Sequence, residues 1–314
     1  MVDYRYEARN DANLDTSAIR HRQLGLCCPG PQQSTMQFDL YLPEGKGPFP
    51  VLLSVAGGGW YFGTRSSVHL GSCIHTAVER GYAYVSMACT SSREKKCPYQ
   101  IEEVLAMIRY LRSHGEELGL DGGFIGLWSA SSGAHLSLMA ALAEGEESID
   151  REKSNVSARV QAVAAIYPCC RLGTTENDFR AIGLEPRYDR SGPACADSIF
   201  LGALAEENPQ LCRWASPESY ITHKAPPLLL LHGMADTVVP YTASVKFAEK
   251  YRQAAGADKV LARFLPGAGH SDPRFKSPEI CGKILDFFDR VRFGKVPCQT
   301  KWQGEIYCHG GELL

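Results

Sequence analysis

Ser131 lies in the run Phe124-Ile125-Gly126-Leu127-Trp128-Ser129-Ala130-Ser131-Ser132-Gly133-Ala134-His135, which is apolar, then small, then rich in Ala and Leu further on. Read as a strand, a tight turn and a helix, it holds a serine hydroxyl at the apex of the turn, where it is open to act as a nucleophile. The pattern is S-x-S-x-G, with Ser129 where glycine is usual. Helix and strand approach closely at such a turn, so small residues are needed two positions either side of the nucleophile. Ser129 and Gly133 meet that need. A serine hydroxyl also requires a base to take its proton and a carboxylate to orient the base. Downstream, Leu228-Leu229-Leu230-Leu231-His232-Gly233-Met234-Ala235-Asp236 runs from an apolar stretch through a glycine turn to Asp236, and Leu261-Ala262-Arg263-Phe264-Leu265-Pro266-Gly267-Ala268-Gly269-His270 does the same to His270. Nucleophile, acid and base in this order, the acid and the base each on a loop after a strand, are the parts of an acyl-transfer site.

Acyl transfer also needs donors for the oxyanion that develops on the carbonyl. The apolar run 51–55 leads into Ala56-Gly57-Gly58-Gly59-Trp60. Glycines there let the backbone turn its N–H groups inward without Cβ clashes, so Gly58, Gly59 and the amide of Ser132 are the candidate oxyanion hole. Each residue has a plainer role as well. The Ser/Ala/Gly run serves as a helix start, Asp236 beside Thr237 as a turn former, and the glycines as a tight turn or an anion nest. No G-K-[ST] follows the glycines, which argues against a phosphate loop. His232 lies inside the end of its strand, His135 on the helix after the turn, and Asp272 too close to His270 to reach around its ring. These three are weaker candidates than the set Ser131, Asp236 and His270.

Apolar runs alternate with amphipathic stretches, the pattern of a mostly parallel α/β sheet with helices on both faces. Strands are predicted over 36–42, 51–55, 82–87, 124–127, 160–166, 228–231 and 259–264, and helices over 70–80, 101–118, 131–142, 243–254 and 278–291. The runs 51–55 and 228–231 lack polar alternation, as strands buried on both faces do. From 168 to 224 the alternation fails, and this segment reads as a small cap insertion over the C-terminal edge of the sheet, carrying a helix. The tail 295–314 reads as irregular. The whole chain, 1–314, reads as one domain.

A chain of 314 residues, 44% hydrophobic and 22% charged, has the profile of a soluble globular protein. A net charge of -2 gives no electrostatic reason to bind nucleic acid or an anionic membrane, and no apolar run is long enough to span one. Residues 1–22 are polar and charged, without the apolar core of a secretion signal. A cytoplasmic location is therefore expected. The 12 cysteines include the vicinal pairs Cys27-Cys28 and Cys169-Cys170, which match no C-x-x-C spacing, so reduced, packed thiols are expected rather than a metal site.

Taken together, Ala56–Trp60, Ser131, Asp236 and His270 resemble the α/β-hydrolase serine esterases with an HGGGW element, and most closely the bacterial feruloyl and acetyl-xylan esterase group, related to the hormone-sensitive-lipase-like esterases. Phe38–Pro43, Pro98–Val104, Ala215–Tyr220 and His232–Pro240 resemble further segments of that group, so the likeness runs over about residues 35–292. It departs at two places: the histidine before the glycines is Ala56, and G-[ED]-S-A-G-G is Ser129-Ala130-Ser131-Ser132-Gly133-Ala134. The resemblance implies a small-molecule or carbohydrate ester as substrate, with a short acyl group such as acetyl or feruloyl, and a mechanism needing neither metal nor organic cofactor. Trp60 and Tyr61 would flank the entrance, and Phe200 and Trp214 would line the pocket. The same chemistry suits a serine peptidase of the prolyl-oligopeptidase type, although no appended propeller is present. A hydrolase-fold binding protein is the non-enzymatic alternative.

Overall fold

The structure, a computed structural model, describes residue 19, residues 21–65 and 71–295, and the short strands at 308–309 and 312–313. The first strands are β1 (His21–Pro29), β2 (Thr35–Leu42) and β3 (Phe49–Val55), followed by α1 (Gly71–Glu79) and β4 (Ala83–Met87). Next come α2 (Tyr99–Ser113), α3 (Gly115–Leu118), β5 (Leu120–Ala130), α4 (Ser131–Leu142) and β6 (Ala162–Ile166). Between β6 and β7 (Leu228–Gly233) lie α5 (Thr175–Ile182), α6 (Ala196–Leu201) and α7 (Pro209–Trp214). The chain continues through α8 (Tyr241–Ala255), β8 (Val260–Leu265) and α9 (Pro278–Arg292) to the paired strands β9 (Cys308–His309) and β10 (Glu312–Leu313).

Eight strands make one sheet in the order β1-β2-β4-β3-β5-β6-β7-β8. β1 with β2 and β2 with β4 are antiparallel, and every later pair is parallel. Side chains of a strand alternate between its two faces, and the two halves of the core follow that rule. Val51, Leu53, Val55, Leu228 and Leu230 pack on one side with residues of α2, α4 and α8. Leu52, Leu229 and Leu231 pack on the other with residues of α1 and α9. Burying each such side chain contributes about 1.5–3 kcal/mol relative to exposure. A strand buried on both faces is therefore a continuous apolar run, as β3 and β7 are in the sequence.

Where the structure differs from the sequence reading, local chemistry explains it. β1 is an edge strand whose side chains are mostly exposed, with a bulge between Gln23 and Leu26. It carries no burial signal to read, and its pairing is made by backbone. The helix predicted over 101–118 ends at Ser113 and restarts at Gly115, where His114 caps the first piece and Gly119, at φ 70°, closes the second. β5 is longer than its apolar core, starting at Leu120 before the two glycines. Segment 168–224 carries three short helices rather than one. Residue 70 of the predicted helix 70–80 lies outside the described residues, as does the tail 295–314 beyond Lys295 apart from β9 and β10.

Candidate active site

β5 ends at Ala130, and Ser131 takes a left-handed φ of 55° as it opens α4. A non-glycine residue in that region is strained by about 1–3 kcal/mol and is held there by its surroundings. Those surroundings are tight. A Cβ on Gly133 would stand 2.1 Å from the carbonyl oxygen of Val55, so α4 leaves no room at this point for any side chain. A Cβ on Gly57 would meet the carbonyl oxygen of Ala130 at 3.0 Å and Cβ of Ser131 at 3.5 Å. Ser129, in the usual glycine position, is fully buried and puts its hydroxyl to use. Ser129 Oγ accepts the amide of Val55 at 3.0 Å and the hydroxyl of Ser137 at 2.8 Å. It thereby ties β5 to the end of β3 and to α4.

The structure brings Ser131, His270 and Asp236 into one line. His270 Nε2 is 3.0 Å from Ser131 Oγ, and His270 Nδ1 is 2.7 Å from Asp236 Oδ2. The loops that carry the acid and the base are bonded to each other: Met234 N–H donates to Leu265 O and Ala235 N–H to Ala268 O. Asp236 is fully buried, and its Oδ1 accepts the amides of Val238 at 2.8 Å and Val239 at 2.9 Å. Burial opposes its ionisation. The hydrogen bonds from His232 and His270 outweigh that cost and hold the carboxyl well below the ordinary carboxylate range. An acid that stays ionised at neutral pH fixes Nδ1–H on His270 and leaves Nε2 free to accept the serine proton.

Gly58, Gly59 and Trp60 have consecutive positive φ values of 119°, 63° and 68°. Tyr61 and Phe62 both donate to Gly58 O, which closes the turn. Among the described backbone bonds outside helices and strands, neither Gly58 N–H nor Gly59 N–H is taken by another carbonyl. The amide of Ser132 lies in the first turn of α4, where helical amides have no partner within the helix. These are the donors that the sequence nominates.

Two of the four residues nominated for the pocket walls are packed into the core instead. Phe200 has no exposed surface, and its ring stacks on Trp60 with centroids 4.7 Å apart. Trp60, itself buried, donates its indole N–H to His135 Nδ1 at 3.0 Å. These aromatic faces support the glycine loop, because their surfaces are spent on each other. Tyr61 is half-buried against Phe62 with the Arg93 guanidinium over its ring, and Trp214 donates to Ser148 Oγ.

The weaker candidates find other work. His135 is fully buried, with Nε2 2.8 Å from Ala215 O, and burial pushes its imidazole down to about 4 despite that bond. It links the glycine loop to the segment after α7. The sequence puts it on the helix after the turn but does not show that link, for which its position four residues after Ser131 was the one signal. Asp272 caps the turn that follows it and pairs with Arg274. His232 does not reach Ser131; it touches Asp236. Among the described residues no cluster of three or more His, Cys, Asp or Glu side chains could hold a metal ion.

An eight-stranded, mostly parallel sheet with a strained serine after the fifth strand, and Asp236 and His270 after the last two, defines the α/β-hydrolase fold. Comparison with known proteins narrows this. Residues 38–251 match the BD-FAE family, and the chain belongs to it. It is 31% identical over 223 residues to Esterase LipQ of Mycobacterium tuberculosis, covering 71% of this chain and 50% of that protein. To Esterase LipC of the same organism it is 29% identical over 230 residues, covering 71% of this chain and 53% of the relative. The chain thus spans about half the length of the curated relatives it matches. A solved truncated carbohydrate esterase from gut microbiota superposes with a TM-score of 0.76 at 24% identity, over 87% of this chain and 96% of that one, and shares the fold.

Proposed function

We propose that this chain is a serine carboxylic ester hydrolase in which Ser131 is the nucleophile, His270 the base and Asp236 the orienting acid. The observation that carries the reading is the unbroken line from Ser131 Oγ through His270 to buried Asp236, at 3.0 and 2.7 Å. Ser131 Oγ attacks the ester carbonyl while its proton passes to His270 Nε2. The amides of Gly58, Gly59 and Ser132 receive the oxyanion, each lowering the barrier by a few kcal/mol. The C–O bond to the alcohol then breaks as His270 returns the proton to the leaving oxygen. Water, deprotonated by His270, attacks the acyl-enzyme, and its collapse frees the acid and Ser131. The acyl group we assign is short, acetyl or feruloyl on a carbohydrate, in line with the group the sequence resembles. Segment 168–224 is the cap of the site, tied to it through Ala215 and through Arg187 N–H, which donates to Thr237 O.

The test is a panel of p-nitrophenyl esters of increasing chain length, with acetylated and feruloylated oligosaccharides and aminoacyl anilides alongside. Ester turnover falling with chain length, and lost at least 1,000-fold in Ser131→Ala, is the expected result. Turnover unchanged in Ser131→Ala, or confined to the anilides, overturns the assignment.

A further inference from the structure

Asp236 serves two imidazoles. Besides His270, His232 brings Nε2 to 3.3 Å from the same oxygen, Asp236 Oδ2, with both His232 and Asp236 fully out of solvent. The His232 Nε2 atom is also 3.0 Å from Val239 O. A carboxylate oxygen and a carbonyl oxygen only accept, so Nε2 must carry the proton and His232 donates to both. The other nitrogen, Nδ1, lies 2.8 Å from the hydroxyl of Ser244 on α8, which is buried as well and fits as the donor there. Beyond Ser244 Oγ stands Cys170 Sγ at 3.7 Å. The result is a continuous polar path through the molecule, from Cys170 by way of Ser244, His232, Asp236 and His270 to Ser131.

Building on the proposed triad, we infer that His232 is a positioning residue for the reaction: its Nε2–H fixes the orientation of Asp236 and tempers the basicity of the carboxylate seen by His270. What His270 feels depends on how much negative charge Asp236 shows to it. Oδ1 is satisfied by two backbone amides, so its charge is already shared. Oδ2 faces His270, and only the His232 donor competes for it among the described contacts. With that donor in place Asp236 stays ionised yet draws less strongly on the His270 proton. Without it, the carboxylate attracts Nδ1–H more strongly and stabilises the imidazolium, so His270 is freed to act as a base only at higher pH. A hydrogen bond to a charged group of this kind is worth about 10- to 100-fold in an equilibrium. The other groups around the pair are few. Tyr167 has its ring 4.5 Å from His270 and 6.5 Å from His232. The Cys170 thiol is pushed up by burial. Asp272 is held low by its partner Arg274. Arg187 meets the acid loop through its backbone alone in the described bonds.

The test is the pH profile of kcat/KM for p-nitrophenyl acetate in the full chain, in wild type and in His232→Gln, His232→Phe and Ser244→Ala. Glutamine places an amide N–H where Nε2–H stood and is expected to keep the wild-type acid limb. That result also shows that the limb is not the titration of His232 itself. Phenylalanine removes the donor, and is expected to lower kcat about 10-fold or more and to displace the acid limb upward by roughly half a unit to one unit. Ser244→Ala removes only the group that fixes the His232 tautomer. It is expected to shift the limb the same way by less, and it stands as the test if His232→Phe does not fold. An unmoved or lowered limb in folded His232→Phe and Ser244→Ala, or a limb displaced or lost in His232→Gln, overturns the inference. A wild-type chain that neither turns over ester nor reacts with a fluorophosphonate overturns the triad reading on which it rests.

Discussion

Ser129 and Ala56 are among the residues at which this chain departs from the pattern of the group it resembles, and the structure gives the first a task. Ser129 Oγ is the acceptor for the amide of Val55, the residue just before the glycine loop. Ser129→Gly, although it restores the usual residue, leaves that buried amide without a partner. It is expected to lower stability by about 1–3 kcal/mol, read from urea midpoints, while fluorophosphonate labelling of the protein persists. An unchanged or raised midpoint would show that the bridge contributes nothing. At Ala56 a side chain is lost, and Trp60 braces the loop instead through His135 and Phe200. Asp236 and His270 were legible in the sequence because each ends a glycine-bearing loop after an apolar run, and Ser131 because it stands among small residues between an apolar run and a helix. The work of Ser129, His135 and His232 was not, because it depends on partners 74, 80 or only four residues away in the chain that composition cannot pair.

The glycine loop rests on another element, the segment after β4, and that segment is held from below by α2. Ser92 N–H donates to Trp60 O, and Ser91 Oγ to Tyr61 O. Two residues earlier, Thr90 donates its amide and hydroxyl to the buried carboxyl of Glu103 on α2, at 2.8 and 2.6 Å. Burial outweighs these bonds and pushes Glu103 up to about 7. The unfolded carboxyl titrates near ~4.3, so between these values the folded chain binds more protons than the unfolded one. Stability from Glu103 is full below that window and is lost as pH rises through it, by roughly 4 kcal/mol in all. Glu103→Gln is expected to flatten the difference between urea midpoints at pH 5 and pH 8. A variant with the wild-type difference would contradict the assignment. Amphipathic spacing made α2 visible as an element, but it marked Glu103 only as a charged residue on a helix.

At the scale of the molecule, the buried strands β3, β5, β6, β7 and β8 were legible as apolar runs, and so were the helices that cover them. The edge strand β1 was not, because its exposed side chains leave no pattern. Of the three short helices between β6 and β7 only one was expected, because Gly and Pro interrupt the periodicity on which recognition depends. Parallel order then brings the candidate residues together. It sets the ends of β3, β5, β7 and β8 on one edge of the sheet, where the glycine loop, the serine, the acid and the histidine meet. Among the described residues no helix is long and apolar enough to cross a membrane. The proposed triad is tested most directly by reaction of the native chain with a fluorophosphonate, followed by peptide mapping of the adduct. A triad built on Ser131 gives a single adduct on that residue, formed far more slowly in His270→Ala and absent in Ser131→Ala. An adduct on a different serine, or none on a folded protein, would contradict it.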